Sequence, residues 1–279
     1  MSTYFAIVTC RNSEKDIEMA IMSLANQTVN PRYIIIVDDG SRDRTPNILR
    51  ELKNKVANLY IITNPDLGYD VRRIVTNWNK ALRFAEEMNL EQTDHHMIGT
   101  DDTQYERQYA EKILNYFDSN SSVAIVSGNY DDVIYKAPHG AGRFVNNAFF
   151  STYMKYYPEK MGYESAILYV ALEKGFKYAV VPEARFIHTR QLGSDHHFYE
   201  FGASMRTLGY HPIFAIGRFL QYFLSGKPIG RIGAINMLYY YVSYKPKNSG
   251  YDSMYDSITR RTIREIQKKR IAQKFGLIR

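Results

Sequence analysis

The sequence predicts an α/β protein, an open and mostly parallel sheet flanked by helices, carrying a helical extension at its C-terminal end. Three observations predict it. Short apolar runs alternate with helical stretches, the first runs all stop at polar residues, and past about residue 205 long aromatic-rich segments replace the strands. The bulk composition agrees: 279 residues with 45% hydrophobic and 23% charged side chains suit a globular chain with a substantial core.

The first four runs are YFAIVTC (4–10), YIIIVDD (33–39), NLYIIT (58–63) and HMIGTDD (96–102). Continuous apolar runs of this length suit strands covered on both faces. Between them, 14–26, 45–55 and 71–88 read as helices, with Asn12, Ser13 and the 41–45 segment supplying N-cap residues. A helix over 106–117 and a strand over 123–127 follow. Next come an irregular Gly-rich stretch, KAPHGAGRF (136–144), a helix over 164–174 and a strand over 177–190. We therefore draw one domain over 1–205 and a helical, aromatic-rich region with a basic tail over 206–279.

Within that region, 211–226 is apolar except for Arg218, Gln221 and Ser225 on one helical face, and 229–245 is a second such segment beyond Lys227-Pro228. Neither supplies the about 18 uninterrupted apolar residues of a membrane span. Two readings stand: helices packed on the first domain, or interfacial helices seated with the tail on an anionic membrane surface. The charge favours neither alone. Residues 259–279 carry eight Lys/Arg and one acid, whereas the first 258 hold 28 basic and 28 acidic residues. The single cysteine, Cys10, excludes an internal disulfide and a zinc-binding thiol cluster, and points to a reducing compartment. The first residues read as a strand, not a signal peptide. The expectation is a cytoplasmic protein, peripheral on the cytoplasmic face of a membrane under the second reading. A basic tail can bind nucleic acid or anionic lipid or be a solvated terminal helix, but nothing else points to nucleic acid, which is not expected as partner: no zinc-finger spacing and no basic stripe with interleaved aromatics occurs in the first 200 residues.

Ligands of open α/β sheets bind beyond the carboxyl ends of the strands. Polar residues gather at those ends: Thr9, Cys10, Arg11 and Asn12, then Asp38, Asp39, Gly40 and Ser41, then Thr100, Asp101 and Asp102. A carboxylate at Asp38 or Asp39 can accept the imide N–H of a uracil or the hydroxyls of a ribose, or simply cap the turn before the next helix. Asp101 and Asp102 can offer oxygens to Mg²⁺ or Mn²⁺, or form an ordinary strand-end turn. No G-x-x-x-x-G-K-[ST] loop and no G-x-G-x-x-G after the first strand is present to wrap phosphates. Diphosphate charge would then fall to a metal and to side chains such as Arg72 and Arg73. His95-His96 and His196-His197 are discounted as metal pairs, since strand neighbours point apart. Trp78 and Tyr163 are either sugar-stacking aromatics or core.

The stretches IVTCRNSEKDIEMAIMSLANQT and YIIIVDDGSRDRT resemble the opening of the family 2 glycosyltransferases, whose fold is called GT-A. The matching residues are Thr9, Asn12, Ser23, Gln27, Thr28, Asp38, Asp39, Gly40, Ser41, Asp43 and Thr45, and the likeness continues to about residue 190. The resemblance implies a nucleotide-sugar donor, with UDP as carrier, Mn²⁺ or Mg²⁺ as cofactor and an inverting transfer of hexosyltransferase type, and the interfacial look of 211–245 with the basic tail adds a glycan or lipid-linked acceptor. By the same resemblance Thr9 and Asp39 hold the uracil, with Arg11 and Asp38 beside them on the nucleotide, and Arg73 lies near the diphosphate. Asp102 is then the metal ligand, Asp101 sits nearer the ribose and diphosphate, and His188 touches the metal or diphosphate. Glu164 matches one acid of a Glu-Asp pair and takes the proton of the acceptor hydroxyl. Two departures stand out: the usual first acid of the metal motif falls at Gly99, and the second acid of the base pair is Ser165. They keep a non-catalytic GT-A partner subunit open as an alternative, beside a nucleotidyltransferase.

Overall fold

The computed structural model of the chain describes residues 2–130, 137–190 and 198–274. Along it, β1 (Tyr4–Cys10), α1 (Ile17–Ala25), β2 (Ile34–Asp38), α2 (Thr45–Lys55), β3 (Leu59–Thr63), α3 (Arg73–Glu87) and β4 (His95–Thr100) follow the expected alternation. Then come β5 (Thr103–Tyr105), α4 (Tyr109–Asp118), β6 (Val123–Asn129), β7 (Arg143–Asn146), α5 (Asn147–Tyr153), α6 (Tyr163–Glu173) and β8 (Lys177–His188). The chain closes with α7 (Tyr199–Thr207), α8 (Pro212–Ser225), α9 (Gly230–Ser243) and α10 (Ser257–Lys274). Contacts divide it into two compact units, Met1–Tyr157 with Val170–Arg190, and Pro158–Tyr169 with Gln191–Arg279. The sequence draws its boundary at 205; the units change over at Arg190 and exchange the start of α6.

The first unit holds one sheet in the order β3-β2-β1-β4-β7-β6-β8-β5. Its parallel part sets the site. Thr9 stands opposite Val37 on one side and Thr100 on the other, and Cys10 stands opposite Asp38. That register brings the polar carboxyl ends of β1, β2 and β4 side by side. β7 runs antiparallel between β4 and β6, and β5 runs antiparallel to β8 at the edge. Neither strand is expected from the sequence, because RFVN and TQY are too short to show a period. β7 is four residues inside and beyond the stretch taken as irregular, and Asn146 then caps α5 by accepting from Phe149 N at 2.9 Å.

Alternation along β1 sorts the two faces. Tyr4, Ala6, Val8 and Cys10 share one core with Ile17 and Ile21 of α1, Leu49 and Leu52 of α2, and Ile113 of α4. Phe5 faces the other way, stacking on Tyr33 at 4.7 Å; Tyr33 meets Tyr60, and Tyr60 meets Phe84 of α3. The adjacent histidines of β4 follow the same rule. His95 stacks on Phe117 of α4 at 4.2 Å, while His96 bonds Asn147 Oδ1 at 2.6 Å and the Tyr157 hydroxyl at 2.7 Å. They are two core residues on opposite faces and not a metal pair. His196 and His197 lie outside the described residues.

In the second unit α9 packs on both α7 and α8. The basic tail is no free arm. Ile263 and Gln267 of α10 are buried, and Gln267 accepts from His211 N at 2.8 Å while donating to the Tyr169 hydroxyl at 2.9 Å. No helix among the described residues is long and apolar enough to cross a membrane.

Burial pushes both β4 imidazoles down from 6.5 to about 4. A lowered folded value means that the stabilisation is complete above pH 6.5 and is lost as pH falls from 6.5 towards about 4. Thermal melts should therefore hold steady above neutrality and drop through that window, by up to roughly 3 kcal/mol per imidazole. His95→Phe, which keeps the stack on Phe117, should flatten the drop. An unchanged slope in that variant would assign the acid sensitivity to other groups.

Candidate active site

At the carboxyl ends of β1 and β2, Asp39 is held by a cluster of side chains. Its two oxygens accept from Arg73 Nε at 3.0 and 2.9 Å and from Arg73 Nη2 at 2.8 Å, and Oδ1 also accepts from Asn64 at 3.2 Å. Burial raises the Asp39 carboxyl, but the bonds from Arg73, Asn64 and Asn77 outweigh it and hold the group below the usual carboxylate range. The same bond, against some burial, pushes the Arg73 guanidinium up. Thr9, half-buried, occupies the β1 face that Phe5 and Ile7 define. So Arg73 is the counter-ion of Asp39.

Arg11 ties three loops together. It donates to the carbonyls of Asp39 and Gly40 and, at 2.6 Å, to Asp66 Oδ1; Arg42 takes the other Asp66 oxygen. Those two arginines and the Gly68 N–H hold the Asp66 carboxyl far below its ordinary value. Gly40 makes the closure possible. Its φ is +73°, and a Cβ there would stand 2.5 Å from Asp66 Cα. Only glycine accepts both the left-handed backbone and that approach. Asp38 is buried and braces the same turn, with Oδ1 accepting from Ser41 N at 3.0 Å and Ser41 Oγ at 2.6 Å. Its Oδ2 has no hydrogen-bond partner among the described residues.

Asp101 and Asp102 occupy the tight turn between β4 and β5. The β5–β8 register places Thr103 opposite His188, so the last residue of β8 lies beside that turn. His188 Nδ1 is 3.5 Å from Asp102 Oδ1 and 3.1 Å from Thr103 Oγ1, and Thr189 N donates to the Asp102 carbonyl at 2.9 Å. Arg190, two residues on, bonds Asp101 Oδ1 at 2.5 Å and stands 3.6 Å from Asp102 and 3.8 Å from Asp16. Ser13 donates to the other Asp101 oxygen. The two acids part company. Burial, aided by Asp102, pushes Asp101 up in spite of Arg190 and Ser13. Asp102 is also raised by burial, yet His188 and Arg190 bring it below its ordinary value. Asp102 is thus the better anionic ligand.

Gly99 is no vacated ligand position. A Cβ there would point at Val8 Cγ2, 3.1 Å away, and at Leu24, inside the α1 core. An acid in this place would be buried against aliphatic carbon rather than added to the site. Glu164 is exposed in the first turn of α6 and belongs to the second unit, whereas Thr9, Arg11, Asp38, Asp39, Arg73, Asp101, Asp102 and His188 are all gathered in the first. Trp78 and Tyr163 are buried, and Trp78 packs edge-on against Tyr157 at 5.2 Å, which makes both core residues. Sequence reasoning missed Asp66, Ser13 and Arg190. Asp66 had a signal, since it follows the end of β3 as Asp39 follows β2.

The donor set fits a divalent cation. A carboxylate oxygen and an imidazole nitrogen 3.5 Å apart suit Mn²⁺ or Mg²⁺ chemistry. Among the described residues no group of three or more His, Cys, Asp and Glu forms a cage, so further ligands would be donor phosphate oxygens and water.

Acids gathered at neighbouring strand ends, with a carboxylate–imidazole pair suited to a metal, are what this α/β domain offers a ligand. The chain belongs to the glycosyl transferase family 2, whose model matches residues 5–169. An uncharacterized glycosyltransferase of Haemophilus influenzae is 28% identical over 135 residues, which cover 48% of this chain and 38% of that protein. The match therefore spans less than half of the relative. Among solved structures, Staphylococcus aureus TarS 1-349 superposes with a TM-score of 0.54 at 16% identity, covering 86% of this chain and 70% of that one. It has also been solved with UDP and with UDP-GlcNAc. The mannosyltransferase PcManGT of Pyrobaculum calidifontis, in complex with GDP-Man and Mn²⁺, gives a TM-score of 0.60 at 16% identity over 85% of this chain and 70% of that one. At such identities the likeness is one of fold. The fold is GT-A, as the resemblance implied.

Removing the partner of Asp39 tests the cluster. Arg73→Met should cost about 2 kcal/mol near neutral pH, because a half-buried carboxylate loses its counter-ion. The penalty should shrink as pH falls through the ordinary carboxylate range, where Asp39 can take a proton. A pH-independent penalty in thermal melts would show that Arg73 acts by packing alone.

Proposed function

We propose that the protein is a metal-dependent, inverting glycosyltransferase that moves a sugar from a nucleotide sugar, with UDP as carrier, to a glycan or lipid-linked acceptor. The observation that carries the proposal is the convergence of Asp39 and of Asp102 with His188 at the carboxyl ends of neighbouring strands. Family membership agrees with it, and so do the donors of the two solved structures, UDP-GlcNAc in one and GDP-Man with Mn²⁺ in the other.

In this reading Thr9 and Asp39 receive the base. Asp39 has both oxygens oriented by Arg73 and can accept one further N–H, as the imide of a uracil supplies. Arg11 acts as a strut that holds the Asp39, Gly40 and Asp66 backbones in place rather than as a phosphate ligand. Asp102 and His188 would hold the Mn²⁺ or Mg²⁺, which when bound supplies a Lewis acid for the departing diphosphate. Charge bookkeeping favours that requirement. Arg11 is matched to Asp66, Arg73 to Asp39 and Arg190 to Asp101, so a diphosphate brings charge that these arginines already share.

Inversion asks for one base opposite the leaving group. Glu164 takes the proton as the acceptor oxygen bonds to the anomeric carbon and the bond to the diphosphate breaks. Its place in the first turn of α6 suits a carboxylate, which the helix N-terminus stabilises.

Calorimetric titration of UDP with Mn²⁺, then with EDTA, is the first measurement, with GDP as control. Binding should require metal, prefer UDP and weaken by about tenfold or more in Asp102→Ala. Absence of UDP binding in either condition would overturn the donor assignment. Glu164→Gln should abolish transfer and leave UDP binding intact. Full activity in that variant would remove Glu164 from the mechanism, while a wild-type chain that binds UDP and never transfers would make it a non-catalytic partner subunit.

A further inference from the structure

The second unit exposes an apolar surface that its own fold does not use. On α8, Ile213, Ile216, Leu220 and Leu224 are exposed at spacings of three, four and four, a single stripe along one helical face. On α9, Ile232, Ile235, Tyr239 and Val242 repeat the pattern at three, four and three. Leu224 is 75% and Ile232 76% exposed, so these are not core residues grazing the surface. The two helices are consecutive and packed on each other, which joins the stripes into one hairpin. Scattered exposed apolar residues are normal; two aligned stripes are an interaction surface.

Charge selects the occupant. From Phe201 to Tyr251 the chain contains no Asp or Glu and six Lys/Arg. Arg206, Lys227, Arg231 and Lys245 are exposed, with Lys227 and Arg231 flanking the turn between the helices, while Lys247 is paired with Asp252 at 2.9 Å. A second copy related by a two-fold axis would set this positive face against itself. A negatively charged surface with an apolar interior meets both features: isoleucines and leucines enter the acyl boundary while the cations stay among headgroups. Tyr222 and Tyr239 suit that boundary as well.

We infer that the α8–α9 hairpin is a monotopic docking surface that seats the protein on an anionic lipid bilayer. The seat is the exposed stripes, with the basic residues around them as the electrostatic component. It is not the terminal segment, because α10 is packed into the second unit through Ile263 and Gln267. Truncation of α10 would strip a packed helix away and would not test the surface.

The experiment is co-sedimentation of the full chain with phosphatidylcholine vesicles, with and without phosphatidylglycerol. We expect binding to the anionic vesicles, weaker binding in high salt and little binding to the neutral ones. Ile216→Ser, Leu220→Ser and Leu224→Ser combined should weaken binding by about tenfold or more. Lys227→Gln with Arg231→Gln should weaken it by about fivefold or more, with a smaller salt dependence. Each variant is checked by far-UV circular dichroism, and the changed side chains are exposed, so folding should survive. Failure of the wild type to bind, or unchanged binding in the triple variant, would overturn the inference. So would a concentration-dependent dimer that the triple variant abolishes, which would make the occupant a second copy. Sedimentation needs no donor, so the result stands or falls apart from the nucleotide reading.

Discussion

Carboxylates crowded at the ends of parallel strands are the constraint on which this molecule turns. The register of β1 with β2 and β4 is fixed by buried apolar side chains, and it leaves Asp39, Asp101 and Asp102 no choice but to project into one crevice. Two unit charges about 4 Å apart interact by roughly 4 kcal/mol near a protein surface, which a marginally stable fold cannot leave uncompensated. The compensation is a set of arginines reaching across from other loops. Arg73 comes from the start of α3, Arg11 from the end of β1, Arg42 from the loop before α2 and Arg190 from beyond β8.

That arrangement does two things at once. Each guanidinium that neutralises a carboxylate also fastens one loop to another, so the electrostatic demand becomes the means of ordering the crevice. Asp66 shows it most directly, joined to Arg11, Arg42 and the Gly68 N–H while the backbone of Gly40 presses against its own. The same sharing sets adjacent acids apart. Asp101, deeper and beside a like charge, is pushed up; Asp102, with the imidazole of His188, stays ionised. Two chemically identical residues thus acquire opposite shifts from their surroundings.

The sequence made some of this legible. β1 to β4 were visible because each is a continuous apolar run long enough to read, and the strand-end rule then located Asp39 and Asp102. β5, β7 and α5 were not, since three to seven residues carry no usable period and their pairing partners lie far along the chain. The ion pairs were hidden for a different reason. Arg11 and Arg73 look alike in sequence, as cations near a nucleotide site, and only their three-dimensional partners separate a loop strut from a brace on Asp39. Arg190 gave even less signal, since it lies in a bend past the end of β8, where no strand period places its side chain. The tail misled through composition. Its cations are real, but Ile263 and Gln267 sit on a face that charge counting does not reveal.

In the second unit small residues set the distance between helices. Where α7 and α9 meet, Gly202 lies against the backbone of Met237, and Gly233 and Ala234 are buried beside Met205, Met237 and Tyr241. A Cβ on Gly202 would come within 2.2 Å of the Met237 carbonyl, so the helices approach as closely as their backbones permit. α8 likewise buries Ala215 while leaving Leu220 and Leu224 outside. In a helix built only for water, the large apolar residues would fill the interior and the small ones would be interchangeable with polar ones outside. Here close backbone packing joins buried side chains such as Met205, Leu208, Met237 and Tyr241 in holding the unit together, and the exposed aliphatic residues of α8 and α9 add little to it. The bilayer inferred above would account for their position, and the lack of Asp and Glu from Phe201 to Tyr251 agrees with anionic headgroups around it.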